Sequence, residues 1–164
     1  MTAFDPSQWS DLFVATAGAS AALAGLVFVA VSINLDRILK FPGLPERALE
    51  TLLMLVIVVL VSIVGLVPGQ THTALGLEIA FLGGLIGAVI ARLPTAIHPD
   101  QGDRRAWLVN RWMLRLAATV PFLFGGVSLF AETGGGLYWV AAGIVFAIAG
   151  AVANAWVLLV EILR

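Results

Sequence analysis

Five uncharged, apolar runs, residues 12–35, 51–67, 79–91, 116–131 and 137–160, leave this chain few ways to fold. A helix needs about 20 mostly apolar residues to cross roughly 30 Å of hydrocarbon. Backbone amides find no water there, so each crossing run must be helical. At 60% hydrophobic and 12% charged, the 164 residues carry more apolar side chain than a soluble core of that size can hide. We therefore expect an all-α integral membrane protein, residues 1–164 forming one transmembrane domain with helices near 11–35, 48–67, 74–93, 112–131 and 137–163. The third and fourth runs are short. Glu78 is thus expected in the outer turn of the third helix, and Arg115 in the inner turn of the fourth, where a long side chain reaches the headgroups.

Threading the runs through a bilayer in order puts all nine Lys and Arg residues on one side. Arg37, Lys40 and Arg47 fall between the first and second helices; Arg92, Arg104, Arg105, Arg111 and Arg115 fall between the third and fourth; Arg164 follows the fifth. Basic residues stay in the cytoplasm, so the N-terminus is expected outside and the C-terminus inside. Asp5, Asp11, Glu78 and Glu132 lie on the other side, and the basic face should attract anionic lipid headgroups. The acidic tail before the first run, and that run's length, point to a retained helix instead of a signal peptide.

The breakers agree with these limits. Pro42 and Pro45 close the first inner loop, Pro68-Gly69 the outer turn after the second helix, Pro94 and Pro99 the long inner loop, and Gly134-Gly135-Gly136 the last outer turn. Pro121 lies inside the fourth helix, where a kink is expected. Trp9, Tyr138 and Trp139 mark the outer border, Trp107 and Trp112 the inner one. No internal repeat is visible, and an odd helix count does not divide into two inverted halves.

The first helix is unusual. At alternating steps of four and three it reads Asp11, Ala15, Gly18, Ala22, Gly25, Val29, Ser32 and Asp36, a row of small or polar residues with a carboxylate at each end. This is the seam of helices crossing at about 20°, and small side chains let backbones approach where lipid offers no hydrophobic drive. Two readings follow. In one the helix is the buried centre of its own five-helix bundle. In the other it is the inner ring of a homo-oligomer, lining a narrow path with Asp11 and Asp36 at the mouths and Val29 as an apolar constriction.

Other seams are plainer. The third helix carries Gly76, Ala80, Gly83, Gly84, Gly87 and Ala91, suited to close contact with the first or fifth helix; the fifth carries Gly143, Ala147, Gly150 and Asn154. Asn154 is the one amide deep in a run and needs a hydrogen-bond partner. The second helix is bulky on every side, which suits a lipid-facing perimeter. Glu78, with His72 six residues earlier, reads either as an interfacial carboxylate or as half of an outer proton- or cation-sensitive pair. His98, Asp100 and Asp103 match no established metal spacing, and Asp103 is a natural N-cap for the helix that starts at Arg104. Without cysteine, thiolate sites and disulfides are excluded. No phosphate loop, HExxH or intramembrane base is present, so neither an enzyme nor a cofactor is expected.

The run from Trp9 to Asp36, containing Val14-Ala15-Thr16-Ala17-Gly18-Ala19-Ser20-Ala21-Ala22-Leu23-Ala24-Gly25-Leu26-Val27-Phe28-Val29, together with Pro42-Gly43-Leu44-Pro45 and Val67-Pro68-Gly69-Gln70, resembles small bacterial membrane proteins labelled modulators of FtsH protease. The resemblance covers about the first seventy residues and implies a regulator of a membrane-anchored protease, with no catalytic or ligand residue to carry over. The order Ser20, Gly25, Val29, Ala30 and Leu35-Asp36 is also similar to the pore helix of Orai calcium channels. That family's acidic filter would fall near Ile33 or Asn34, neither of them acidic, and the expected direction of the first helix is reversed.

The expectation is a homo-oligomer forming a small ion-conducting pore along the first helix. The rival is a non-conducting adaptor contacting another membrane protein, or lipid headgroups, through Arg104, Arg105, Arg111 and Arg115. Nucleic acid is not an expected partner, because the arginines are few and are accounted for by topology.

Overall fold

The computed structural model describes residues 2–95 and 104–163. Two 3₁₀ turns, Thr2–Phe4 and Pro6–Trp9, lead into α1 (Ser10–Ile33). A short α2 (Leu35–Ile38) follows, then α3 (Leu44–Gly65), α4 (His72–Arg92), α5 (Arg104–Ala131) and α6 (Leu137–Leu163). No strand occurs among the described residues, and five of these helices are long and apolar enough to cross a membrane. They are the five expected from the sequence. The helices run up and down in order, so the described Lys and Arg residues gather at one end of the bundle, together with Asp36, Glu46 and Glu50, while the other, acidic end carries Asp5, Asp11, Glu78 and Glu132.

Local chemistry sets the ends. Gly43 takes a left-handed φ of +89° ahead of α3, a conformation that costs glycine little, and Pro45 sits in the first turn, where its missing N–H is not needed. α3 therefore starts four residues earlier than expected and brings Glu46 and Arg47 into the helix. Thr71 caps α4, its hydroxyl accepting from the Ala74 N–H. α5 begins at Arg104, the start expected from the sequence, about two turns before the apolar crossing expected from residue 112. Polar turns continue a helix past the end of its apolar run.

α3, α4, α5 and α6 close a four-helix ring, each packing against its two neighbours, and α1 lies outside it against α3. The second helix, expected at the perimeter, is therefore central. Met54, Leu55, Ile57, Val58 and Val61 of α3 are almost wholly buried, because α3 meets α1, α4 and α6 at once. Bulk on every side does not mark a lipid-facing helix where three partners surround it. The reading of the first helix as the buried centre of its own bundle is also overturned: 17% of the residues in its apolar span are buried, against 50% for α3.

Glycine decides where backbones touch. A Cβ on Gly76 of α4 would stand 2.7 Å from the Gly126 carbonyl oxygen of α5, and one on Gly126 would stand 2.6 Å from the Gly76 oxygen. Gly83 meets Phe122, and Gly87 meets Thr119. The α4 seam thus packs on α5, the fourth helix, and not on the first or fifth as expected. On α6, Gly143 receives the Phe122 ring and Gly150 lies against Met54 and Leu114. α1 is held on α3 by Phe13, whose ring fills the notch at Gly65, and by a 2.9 Å hydrogen bond between the Thr16 and Ser62 hydroxyls.

Candidate functional site

Two places in the fold hold side chains that need explaining: an ionic cluster inside the basic end, and the outer face of α1. On α5, Arg111, Arg115, Ala118, Phe122, Gly125 and Leu129 follow steps of four and three, and all are buried. On α3, Glu50, Met54, Ile57 and Val61 do the same. Extending each core seam one or two turns toward the basic end brings the charges face to face. The Arg111 and Arg115 guanidiniums both donate to Glu50 Oε2, at 2.8 and 2.9 Å. Glu50 is 0% exposed, Arg115 2% and Arg111 8%.

Arg115 reaches further. It donates to Thr95 Oγ1 at 3.3 Å and lies 3.5 Å from the Leu93 carbonyl, just past the end of α4, while its guanidinium stands 5.5 Å from the centre of the Trp112 ring. One carboxylate therefore ties α3 to α5, and Arg115 ties both to the exit of α4. Such a cluster holds geometry well, because removing one partner strands the other charges in a low-dielectric interior. The second oxygen of Glu50 has no partner among the described residues, nor does the Asn154 amide nitrogen. One turn toward the basic end from the Gly150–Met54–Leu114 contact, Asn154 shares a layer with Glu50 and Arg111.

The headgroup or partner contact expected of Arg111 and Arg115 does not fit this structure, since both turn inward to a carboxylate the sequence reading passed over. Arg105 is exposed. The Arg104 side chain, His98, Asp100, Asp103 and Arg164 lie outside the described residues. At the acidic end, His72 pairs with Glu132 at 2.7 Å and not with Glu78. Glu78 is exposed and accepts from the Gln70 side-chain amide.

The α1 row is the reverse of the cluster. Asp11, Ala15, Gly18, Ala22, Gly25, Val29, Ser32 and Asp36 are all exposed. α1 turns a different row toward α3, with Phe13, Thr16, Ser20, Ala24 and Val27, and at 3.6 residues per turn the two rows lie on opposite sides of the helix. A Cβ on Gly18 or Gly25 would meet nothing within 4 Å. Among the described residues, no three His, Asp or Glu side chains converge as metal ligands would. Compared with protein-family models, curated proteins and solved structures, the chain shows no match.

Proposed function

We propose that this protein is a homo-oligomer of the bacterial inner membrane, N-terminus outside and C-terminus cytoplasmic, whose copies meet through the outer row of α1. The ring of α1 helices encloses a narrow ion-conducting path. One observation carries the reading. A Cβ on any of the nine other helical glycines would stand within 4 Å of another helix, whereas Gly18 and Gly25 face open space. Each glycine costs a helix about 1 kcal/mol relative to alanine. The fold of one chain gains nothing back at these two positions; a second helix packed there would, since small residues are what bring helices together in lipid.

The path follows from the order of the row. Asp11 and Asp36 stand at its two ends, Ser32 is polar, and Val29 is its bulkiest apolar member. A ring of such helices offers carboxylates at both mouths and an apolar constriction between them. Orientation rests on the basic end facing the cytoplasm.

The rival, a non-conducting regulator of another membrane protein such as a membrane-anchored protease, loses Arg111 and Arg115 from its proposed contact. Mass in nanodiscs comes first: an oligomer is expected, reduced to monomer by Gly18→Leu with Gly25→Leu while helicity is kept. A monomeric wild type overturns the pore. Liposome flux comes second. Val29→Ser is expected to raise conductance and Val29→Trp to block it, and an oligomer that passes no ion under voltage, pH or tension leaves the regulator.

A further inference from the structure

α1 and α6 both rest on α3 yet scarcely touch one another, and the gap between them is an open groove. It holds two cavities of about 210 and 150 Å³ that share Val27, Ala155 and Leu159. Leu55 of α3 lines the deeper part, and Trp156 stands at the rim. Toward the basic end the groove stops at Ile38 of α2, which is buried against Leu44, Ala48 and Leu158. Every residue lining the two cavities is apolar, and water needs about two to four polar partners to stay in such a place.

What stands at the closed end identifies the occupant. Arg37 and Lys40, either side of Ile38, are exposed, with Asp36 the neighbouring acid, so the segment is net cationic at the closed end of the groove. An apolar slot hung beneath a cationic ledge matches a molecule with an anionic head and a hydrocarbon tail. We propose that this groove is a binding site for an anionic phospholipid, its acyl chain along Val27, Ala30, Ala155 and Leu159 and its headgroup on Arg37 and Lys40. The site lies on a different face of α1 from the Gly18–Gly25 row, so it stands or falls separately from the oligomeric pore.

Trp156, 69% exposed at the rim, is a built-in reporter. Its signal is the difference in fluorescence between wild type and Trp156→Phe in vesicles containing phosphatidylglycerol or phosphatidylcholine with brominated acyl chains. Half-quenching is expected at a several-fold lower mole fraction of the brominated phosphatidylglycerol. Arg37→Gln with Lys40→Gln should remove that preference while leaving quenching by phosphatidylcholine. Ala155→Phe, and independently Ala30→Phe, should fill the groove and cut phosphatidylglycerol adducts seen by native mass spectrometry at least several-fold. Equal quenching by the two lipids, or adducts unchanged in both filled variants, overturns the site. So does a disulfide-linked dimer of Val27→Cys in the cysteine-free chain, which would seat a second copy in the groove.

Discussion

The α5 row from Arg111 to Leu129 and the α1 row from Asp11 to Asp36 follow the same four-and-three spacing, yet the first is buried throughout and the second exposed throughout. The buried row contains two arginines, the exposed row two glycines and two alanines. In water the two arginines would stay hydrated and the apolar members between Asp11 and Asp36 would be driven in. If hydrocarbon surrounds the bundle, as proposed, no water is there to drive apolar residues inward, and the two arginines at the basic end find their counter-charge in Glu50 inside it. Small residues gain nothing from burial as such; they gain from a close neighbour, which α1 lacks on this face.

The contrast can be broken most forcefully at Glu50. Glu50→Gln leaves two buried guanidiniums without their counter-ion and should cost about 3–5 kcal/mol, read as a lower unfolding midpoint in mixed micelles. Asp36→Asn, on the exposed row, should change that midpoint by less than about 0.5 kcal/mol. Comparable losses at the two sites would mean that the cluster is not an interior feature.

Glycine offers the next test. Gly126→Ala drives a methyl into the Gly76 carbonyl and should destabilise by about 1–3 kcal/mol, visible as a lower thermal midpoint. Gly18→Ala meets open space in the single chain and should stabilise the monomer by about 0.5–1 kcal/mol, while weakening any association through that face. A loss at Gly18 measured in monomeric protein would contradict its exposed position.

The α1–α3 contact sharpens the picture on a smaller scale. Thr16→Val removes the hydroxyl that meets Ser62 and should cost about 0.6 kcal/mol, the usual size of an interhelical hydrogen bond in a membrane. Smallest is an acid effect at the N-terminal turns. The Ser7 hydroxyl, the Ser7 N–H and the Gln8 amide donate to Asp5 and hold its carboxyl below the ordinary value. A depressed pKa means the stabilisation is present above the unfolded carboxyl's value of about 3.9 and fades as pH falls through the folded one. Trp9, which packs edge-on to Tyr138 at 4.8 Å, should report this as a fluorescence change on acidification that Asp5→Asn removes.

Some of the site was legible before any coordinates. Arg111 and Arg115 continue the row Ala118, Phe122, Gly125 and Leu129, and Glu50 continues Met54, Ile57 and Val61. Following each seam past the end of its apolar run would have turned these charges inward. Reading the arginines only as topology signals hid this, because the positive-inside rule counts charges without asking which face of a helix they occupy. The Phe13–Gly65 notch had no such signal: nothing in a phenylalanine and a glycine 52 positions apart announces that they meet.

The amino-acid order alone determined five helices long and apolar enough to cross a membrane, the loops between them and the gathering of Lys and Arg at one end, because hydrocarbon thickness and unpaired amides constrain each segment singly. Only the tertiary structure decided which helix sits at the centre, which glycine seam meets which neighbour and which carboxylate the arginines share. The reason is that lipid is as apolar as a helix core. Spacing shows that a face is built to pack, but no transfer energy singles out its partner; that choice is made by shape and by paired charge, which exist only once the helices are side by side.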